Sequence, residues 1–202
     1  LRQQFEMSAL TTTDGEAGTF AFANGVTFTV ESDMSFAGTL RMLSGSKISQ
    51  PANGNDDLGY RANFSADNFI LDSGASVDVS TKGFSKAHGE GRPTDESKLS
   101  RAGSHGGLAM DVGSATTYGS ITRPVTLGSG GLDGAGGGAT HIRVKGKTVI
   151  DGTVSASGDV WYYGGAGGKK PAARRSRITT MTISCSSSNT RRILSVRNAG
   201  AR

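Results

Sequence analysis

Cysteine is almost absent: 202 residues contain only Cys185, so no internal disulfide can form and a small cystine-stapled fold is excluded. Long apolar runs are missing too. None approaches the roughly 18 residues of a membrane-spanning helix, so no membrane span is expected. The opening Leu1-Arg2-Gln3-Gln4 lacks the apolar stretch of a signal peptide, and the sequence reads as a processed chain or an internal fragment. Charged residues are only 19%. Disorder usually comes with high charge and few β-branched residues, and here Val, Ile, Thr and Phe instead cluster in runs. Acids are absent from residues 169–202, which hold nine Lys/Arg, while the rest of the chain holds 13 bases against 17 acids. The net charge of +5 therefore originates in the tail. That tail also lacks aromatic residues, which removes base stacking, so nucleic acid is not an expected partner.

Catalytic and cofactor signatures are equally sparse. There is no Gly-x-Ser-x-Gly elbow and no phosphate loop ending in Lys-Ser/Thr. His88, His105 and His141 lie far apart, so no transition-metal site and no cofactor is expected. Asn53-Gly54-Asn55-Asp56-Asp57 and Gly130-Gly131-Leu132-Asp133-Gly134 are oxygen-rich but lack the spacing of known calcium loops, and read as solvated turns. Polysaccharide cleavage needs converging carboxylates, for which Asp56, Asp57, Asp72, Asp78, Asp151 and Asp159 are the candidates. Asp72 and Asp151 occupy the same place in two copies of a repeat, which fits a corner where Asp caps backbone amides. No catalytic residue is assigned, and the chain is not expected to be an enzyme.

What is abundant is glycine, 31 residues, together with β-patterned sequence. Phe20 and Phe22 alternate with Ala, and Val26, Phe28 and Val30 alternate with Thr, so each set shares one face of a strand. Asn24-Gly25 between them serves a hairpin or a solenoid corner equally well. A degenerate unit of two short strands around a glycine bend recurs at Phe36–Gly45, Ile70–Gly83, Val149–Gly158 and Ile193–Gly200. One such unit cannot bury its apolar face; a stack of them can. Leu1–Leu10 is read as a short helix or strand capping the first coil, and Pro93-Thr94-Asp95-Glu96 as the start of a surface helix. Gly128–Gly138 has seven glycines in eleven residues, which points to close backbone packing or tight corners. The expected fold is all-β, a right-handed parallel β-helix (solenoid) with long Gly-rich loops; an antiparallel β-sandwich is the alternative. Residues 1–168 form the solenoid domain. Residues 169–202 form a basic segment that adds one or two strands to it.

Residues 103–168 resemble the glycine-rich β-helix repeats of very large extracellular and surface proteins. The resemblance is carried by Ser104-His105-Gly106-Gly107, Tyr118-Gly119-Ser120-Ile121 with Pro124, and Leu127-Gly128-Ser129-Gly130-Gly131. It continues through Gly136-Gly137-Gly138-Ala139, Ile142-Arg143-Val144, Val149–Gly158 and Gly164–Gly168. It covers about a third of the chain, and it implies a pectin-lyase-like right-handed β-helix with an extracellular structural, adhesive or filament role. It brings no catalytic residues. It stops after Gly168, where such repeats continue with a Ser-Ile strand and this chain inserts Lys169-Lys170-Pro171-Ala172-Ala173-Arg174-Arg175.

Three sets of residues are candidates for contact or modification. Asn63-Phe64-Ser65 is the sole N-glycosylation sequon, making Asn63 the glycosylation candidate. Trp161, Tyr162 and Tyr163 form the one aromatic cluster, suited to sugar stacking or an interface if exposed and to the core if buried. Lys169, Lys170, Arg174 and Arg175 are anion-contact candidates, against the plainer reading of a solvated basic loop. The functional expectation is a non-catalytic extracellular structural subunit of a surface assembly or filament, partnered by copies of itself or other surface proteins. A carbohydrate-binding or adhesive module is the first alternative, with glycans as partners, and a polysaccharide lyase or hydrolase the second.

Overall fold

In the computed structural model, residues 18–22, 25–54, 59–94, 102–105, 116–120 and 125–159 are described in full, and residues 181–187 and 190–194 as backbone. The capping segment Leu1–Leu10 and the helix expected from Asp95 onward fall outside those residues. The fold is all-β, with no helix among the described residues. The strands are β1 (Thr19–Phe22), β2 (Thr27–Thr29), β3 (Met34–Met42), β4 (Lys47–Ser49), β5 (Ala62–Leu71) and β6 (Ser76–Asp78). They continue as β7 (Thr140–Val144), β8 (Thr148–Ile150), β9 (Thr153–Ser155), β10 (Met181–Ser187) and β11 (Thr190–Leu194).

Two sheets share these strands, which alternate between them from β1 to β7. One runs β1-β3-β5-β7-β10-β11, with β8 also on β5; the other runs β2-β4-β6-β9. Every pairing among β1–β9 is parallel, where the sandwich alternative needs antiparallel neighbours. Antiparallel pairing occurs once, between β10 and β11. β10 itself joins β7 in parallel, so the basic segment extends the first sheet. Asn24-Gly25 accordingly separates strands of different sheets and makes no hairpin.

The bend between the sheets repeats. Ser46 N–H donates to the Leu43 carbonyl and Ala75 N–H to that of Asp72, each closing a four-residue turn. The third residue of each is a glycine at positive φ, Gly45 (79°) and Gly74 (82°), as a type II turn requires. Gly25 (78°) holds the matching place one strand pair earlier. These glycines are bonded to one another: Gly25 N–H donates to Gly45 O at 3.3 Å, and Gly45 N–H to Gly74 O at 3.0 Å. The repeat is thus registered on Gly45 and Gly74. Sequence spacing instead matches Gly38 with Gly74, and the structure corrects this. Gly38 lies inside β3 at a bulge, φ 91°, where the register with β5 shifts between Phe36 and Thr39.

Over the paired stretch β5 has one residue fewer than β3, and it has one fewer again against its other neighbour. Lys145-Gly146-Lys147 separates β7 from β8 while β5 runs on unbroken beside both. Asp67 and Asn68 satisfy both irregularities. Asp67 accepts Gly38 N–H at 2.8 Å and pairs with Lys145 at 2.8 Å. Asn68 accepts Lys147 N–H at 2.8 Å and donates to the Thr39 hydroxyl at 3.2 Å.

The core lies between the sheets and is built from columns of like residues. In register, Phe20, Leu40 and Phe69 form one column, and Phe22, Met42, Leu71 and Ile150 another. Phe28, Ile48, Val77 and Val154 line up on the second sheet. Leu40, Met42, Phe69, Leu71 and Val77 are fully buried. Each such side chain contributes roughly 1.5–3 kcal/mol. Phe20, Phe22, Phe28 and Phe36 interlock at the β1–β2 end, with centroids 4.7–6.4 Å apart. Val26, expected to share the face of Phe28 and Val30, is instead 41% exposed.

The glycine-rich stretch is a packed layer. Gly83 N–H donates to Gly136 O, Phe84 N–H to Gly128 O, Gly136 N–H to Phe84 O and Gly128 N–H to Gly137 O. A Cβ on Gly136 would stand 1.9 Å from Gly128 O, and one on Gly130 1.8 Å from Ser85 O. Close backbone approach, the expectation from composition, is what requires glycine here.

Candidate functional site

Alternation along β5 turns Ala62, Phe64 and Ala66 inward and leaves Arg61, Asn63 and Ser65 half-buried on the outer side. The sequon is therefore split across the strand, with Asn63 and Ser65 outward and Phe64 in the core. Asn63 Nδ2 donates to Asp33 Oδ1 at 2.9 Å, and Ser65 Oγ lies 3.1 Å from Ser35 Oγ. On the other flank, Asn63 is in register with His141 and Ser65 with Arg143.

This register assembles an open cavity of ≈ 210 Å³ over the start of β5 and β7, lined by Arg61, Asn63, Val125, Ala139, Thr140, His141 and Arg143. The Thr140 hydroxyl is turned away, donating to the Ala62 carbonyl at 2.8 Å. Arg61 Nε is sealed from solvent and has no hydrogen-bond partner among the described residues. Sequence reasoning offered Asn63 as a modification candidate here, weighed His141 only as a metal ligand and Arg143 only within the resemblance. Arg61, His141 and Arg143 meet only because β7 follows β5 in the sheet although Ala62 and Thr140 are 78 positions apart in the chain.

A second polar cluster is buried. His105, 8% exposed, meets Tyr118 edge-on at 4.7 Å and bonds Thr126 Oγ1 through Nε2 at 2.7 Å. Gly91 N–H donates to Ser129 Oγ at 2.8 Å, Ser129 Oγ donates to Tyr118 Oη at 2.8 Å, and Tyr118 donates to the Leu127 carbonyl. Burial lowers the His105 pKa and pushes Tyr118 up to about 12. These groups come from three separate elements of the glycine-rich resemblance, brought together here as an internal brace.

Of the acidic candidates among the described residues, Asp72 and Asp151 follow directly on paired residues, whereas Asp78 lies on the other sheet. Asp72 lies at the corner as expected, with Asp151 N–H bonded to Leu71 O beside it. Its carboxylate pairs with Arg41 at 3.0 Å, a neighbouring strand's cation and not the backbone amides of its own turn. Asp78 sits on the second sheet. Burial alone would raise its pKa, but bonds from Ser155 at 2.6 Å and Ser80 N–H at 3.0 Å, with Lys47 at 3.4 Å, hold it below the usual value. Asn53 of the calcium candidate is 2% exposed and spent on backbone, donating to Tyr60 O and Lys82 O and accepting Tyr60 N–H. His88, His105 and His141 form no shared site, and no cluster suited to a metal ion occurs among the described residues. Asp56, Asp57, Trp161, Tyr162, Tyr163, Lys169, Lys170, Arg174 and Arg175 lie outside the described residues. No family model, no curated protein and no solved structure matches this chain.

Proposed function

We propose that the chain is a right-handed parallel β-solenoid and serves as a non-catalytic structural subunit of an extracellular assembly, stacking on copies of itself or on other surface proteins. The observation that carries this reading is register. Thr19 pairs with Thr39 in one sheet and Thr27 with Lys47 in the other, the same 20-residue step. Thr39 with Asn68 and Lys47 with Ser76 repeat a common step of 29. Two sheets that advance together are what successive turns of one coil produce. The right hand follows from the sterics of parallel crossover connections. Asp72 and Asp78, tied to Arg41 and Lys47 of neighbouring strands, suit a structural task better than acid–base work.

Stacking is favoured by the β1–β2 end. Among the described residues each of these strands is paired on one side only, by β3 and β4. An unpaired edge beside clustered phenylalanines is a template for another chain. Electron microscopy of the purified chain over a rising concentration series is the test. Filaments with a strand repeat of about 4.7–4.8 Å along their axis are expected. Dispersed monomers at every concentration overturn the stacking role. A glycan on Asn63 belongs to the same reading. Intact-mass measurement of chain secreted from eukaryotic cells should show a glycoform that Asn63→Gln abolishes, and an unmodified mass removes that part.

A further inference from the structure

We infer that the cleft over the start of β5 and β7 binds an oxyanion, a carboxylate or a sulfate ester, gripped by Arg61 and Arg143. Arg61 and Arg143 both line the same cavity of ≈ 210 Å³. Arg41, Lys47 and Lys145 each have an aspartate, at 3.0, 3.4 and 2.8 Å, whereas Arg61 and Arg143 have no ion-pair partner among the described residues. Arg61 goes further, since its Nε is a buried donor with no acceptor among the described residues. Native proteins keep such orphans rare, because the group has lost water and gained nothing.

The rest of the lining cannot supply the missing charge. Val125 and Ala139 are apolar, and the Thr140 hydroxyl faces Ala62. The Asn63 amide nitrogen is given to Asp33, the carboxylate its hydrogen bonding reveals on the neighbouring strand side. The cavity therefore presents two cations and no lining carboxylate. A guanidinium pair of this kind recognises planar or tetrahedral oxyanions through paired N–H donors, and lysine does not reproduce that geometry. The volume accommodates the acidic group with part of the ring that bears it. The one ring among the described lining residues is the His141 imidazole, and the grip is assigned to the two arginines.

The test uses the full, unglycosylated chain with its arginine Nε–Hε resonances followed by NMR. Sodium sulfate and sodium glucuronate are the two probes, with sodium chloride at matched ionic strength as the reference. Saturable movement of the Arg61 signal is expected, with dissociation constants in the millimolar range. Response to sulfate alone assigns a sulfate ester, to glucuronate alone a carboxylate, and to both the shared oxyanion chemistry. Arg143→Gln and Arg61→Lys should each weaken binding about tenfold or more, and Arg41→Gln, whose partner is Asp72, should leave it unchanged. Arg143 is exposed, so its variant keeps the test alive if changes at Arg61 disturb folding. No saturable shift with either probe up to about 50 mM, or binding that survives Arg143→Gln undiminished, overturns the assignment.

Discussion

A methyl group on Gly74 has nowhere to go. The residue holds φ at 82°, and its Cβ would lie 2.5 Å from Ser44 Oγ. Gly74→Ala is expected to cost about 1–3 kcal/mol, the range for forcing a side chain into this backbone region. Gly54, with open space around it and no positive φ, should tolerate alanine within about 0.5 kcal/mol. Urea denaturation of the two variants checks the contrast, and equal losses would refute the role of the corner. A second residue-scale case is the amide pair Gln50 and Asn53. Both donate to Tyr60 O and Lys82 O, while Gln50 Oε1 accepts Ala62 N–H. Asn53→Ala takes the acceptor from Tyr60 N–H and leaves Gln50 alone to serve both carbonyls, and should cost about 1–3 kcal/mol. Gly74 was legible, because a glycine after Asp72-Ser73 in a β-patterned run marks a bend. The amide pair was not. Asn53 sits in a polar, glycine-containing string, whose composition is that of a solvated turn; only the fold reveals that it is 2% exposed.

Elements show where periodicity works and where it fails. Alternation identified the strands around Phe20–Phe22 and Phe28–Val30, and the matched place of Asp72 and Asp151 in the repeat agrees with the pairing of Leu71 and Ile150. It failed at Gly38, because a bulge glycine and a corner glycine look alike in one dimension. It was silent on the His105–Tyr118–Ser129 brace, whose members are joined by loops without period. That brace has a pH signature. Burial lowers the His105 pKa below its unfolded value near 6.5, so the unfolded chain binds the proton more readily. Its stabilisation is whole above pH ~6.5 and is lost as pH falls through the folded value. Tyr118 acts at the other end. Its pKa of about 12 exceeds the unfolded value near 10, so stability drains away as pH rises from about 10 to 12. Melting temperatures across both windows test this. His105→Gln should flatten the acid limb and Tyr118→Phe the alkaline one; unchanged slopes would show that neither titration is linked to folding.

At the scale of the whole molecule, register makes a prediction about deletion. Gly45 and Gly74 occupy equivalent corners 29 residues apart. Excising residues 46–74 fuses Gly45 to Ala75, so β6 follows β3 as β4 does now and inherits the place beside β2. The first sheet then loses β5, and β3 must meet β7 and β8 directly. Both neighbours carry one residue more than β5, at Gly38 and at Gly146. Placed side by side they match without a bulge: Met34 falls opposite Ile142, Gly38 opposite Gly146, and Met42 opposite Ile150. The cost is the buried side chains of Ile48, Phe64, Phe69 and Leu71 and the amide pair's bonds to the Lys82 carbonyl, which stays behind. In a stack whose stability is roughly a sum over coils and their interfaces, that loss lowers the midpoint and leaves the transition cooperative. Excising 46–69 instead removes 24 residues and places the second corner directly after the first, with no strand between. Far-ultraviolet circular dichroism during heating separates the cases. The 29-residue deletion should keep a single sheet-to-coil transition at lower temperature, and the 24-residue deletion should lose it. Equal collapse of both would mean that the strands are not interchangeable layers of one repeating architecture.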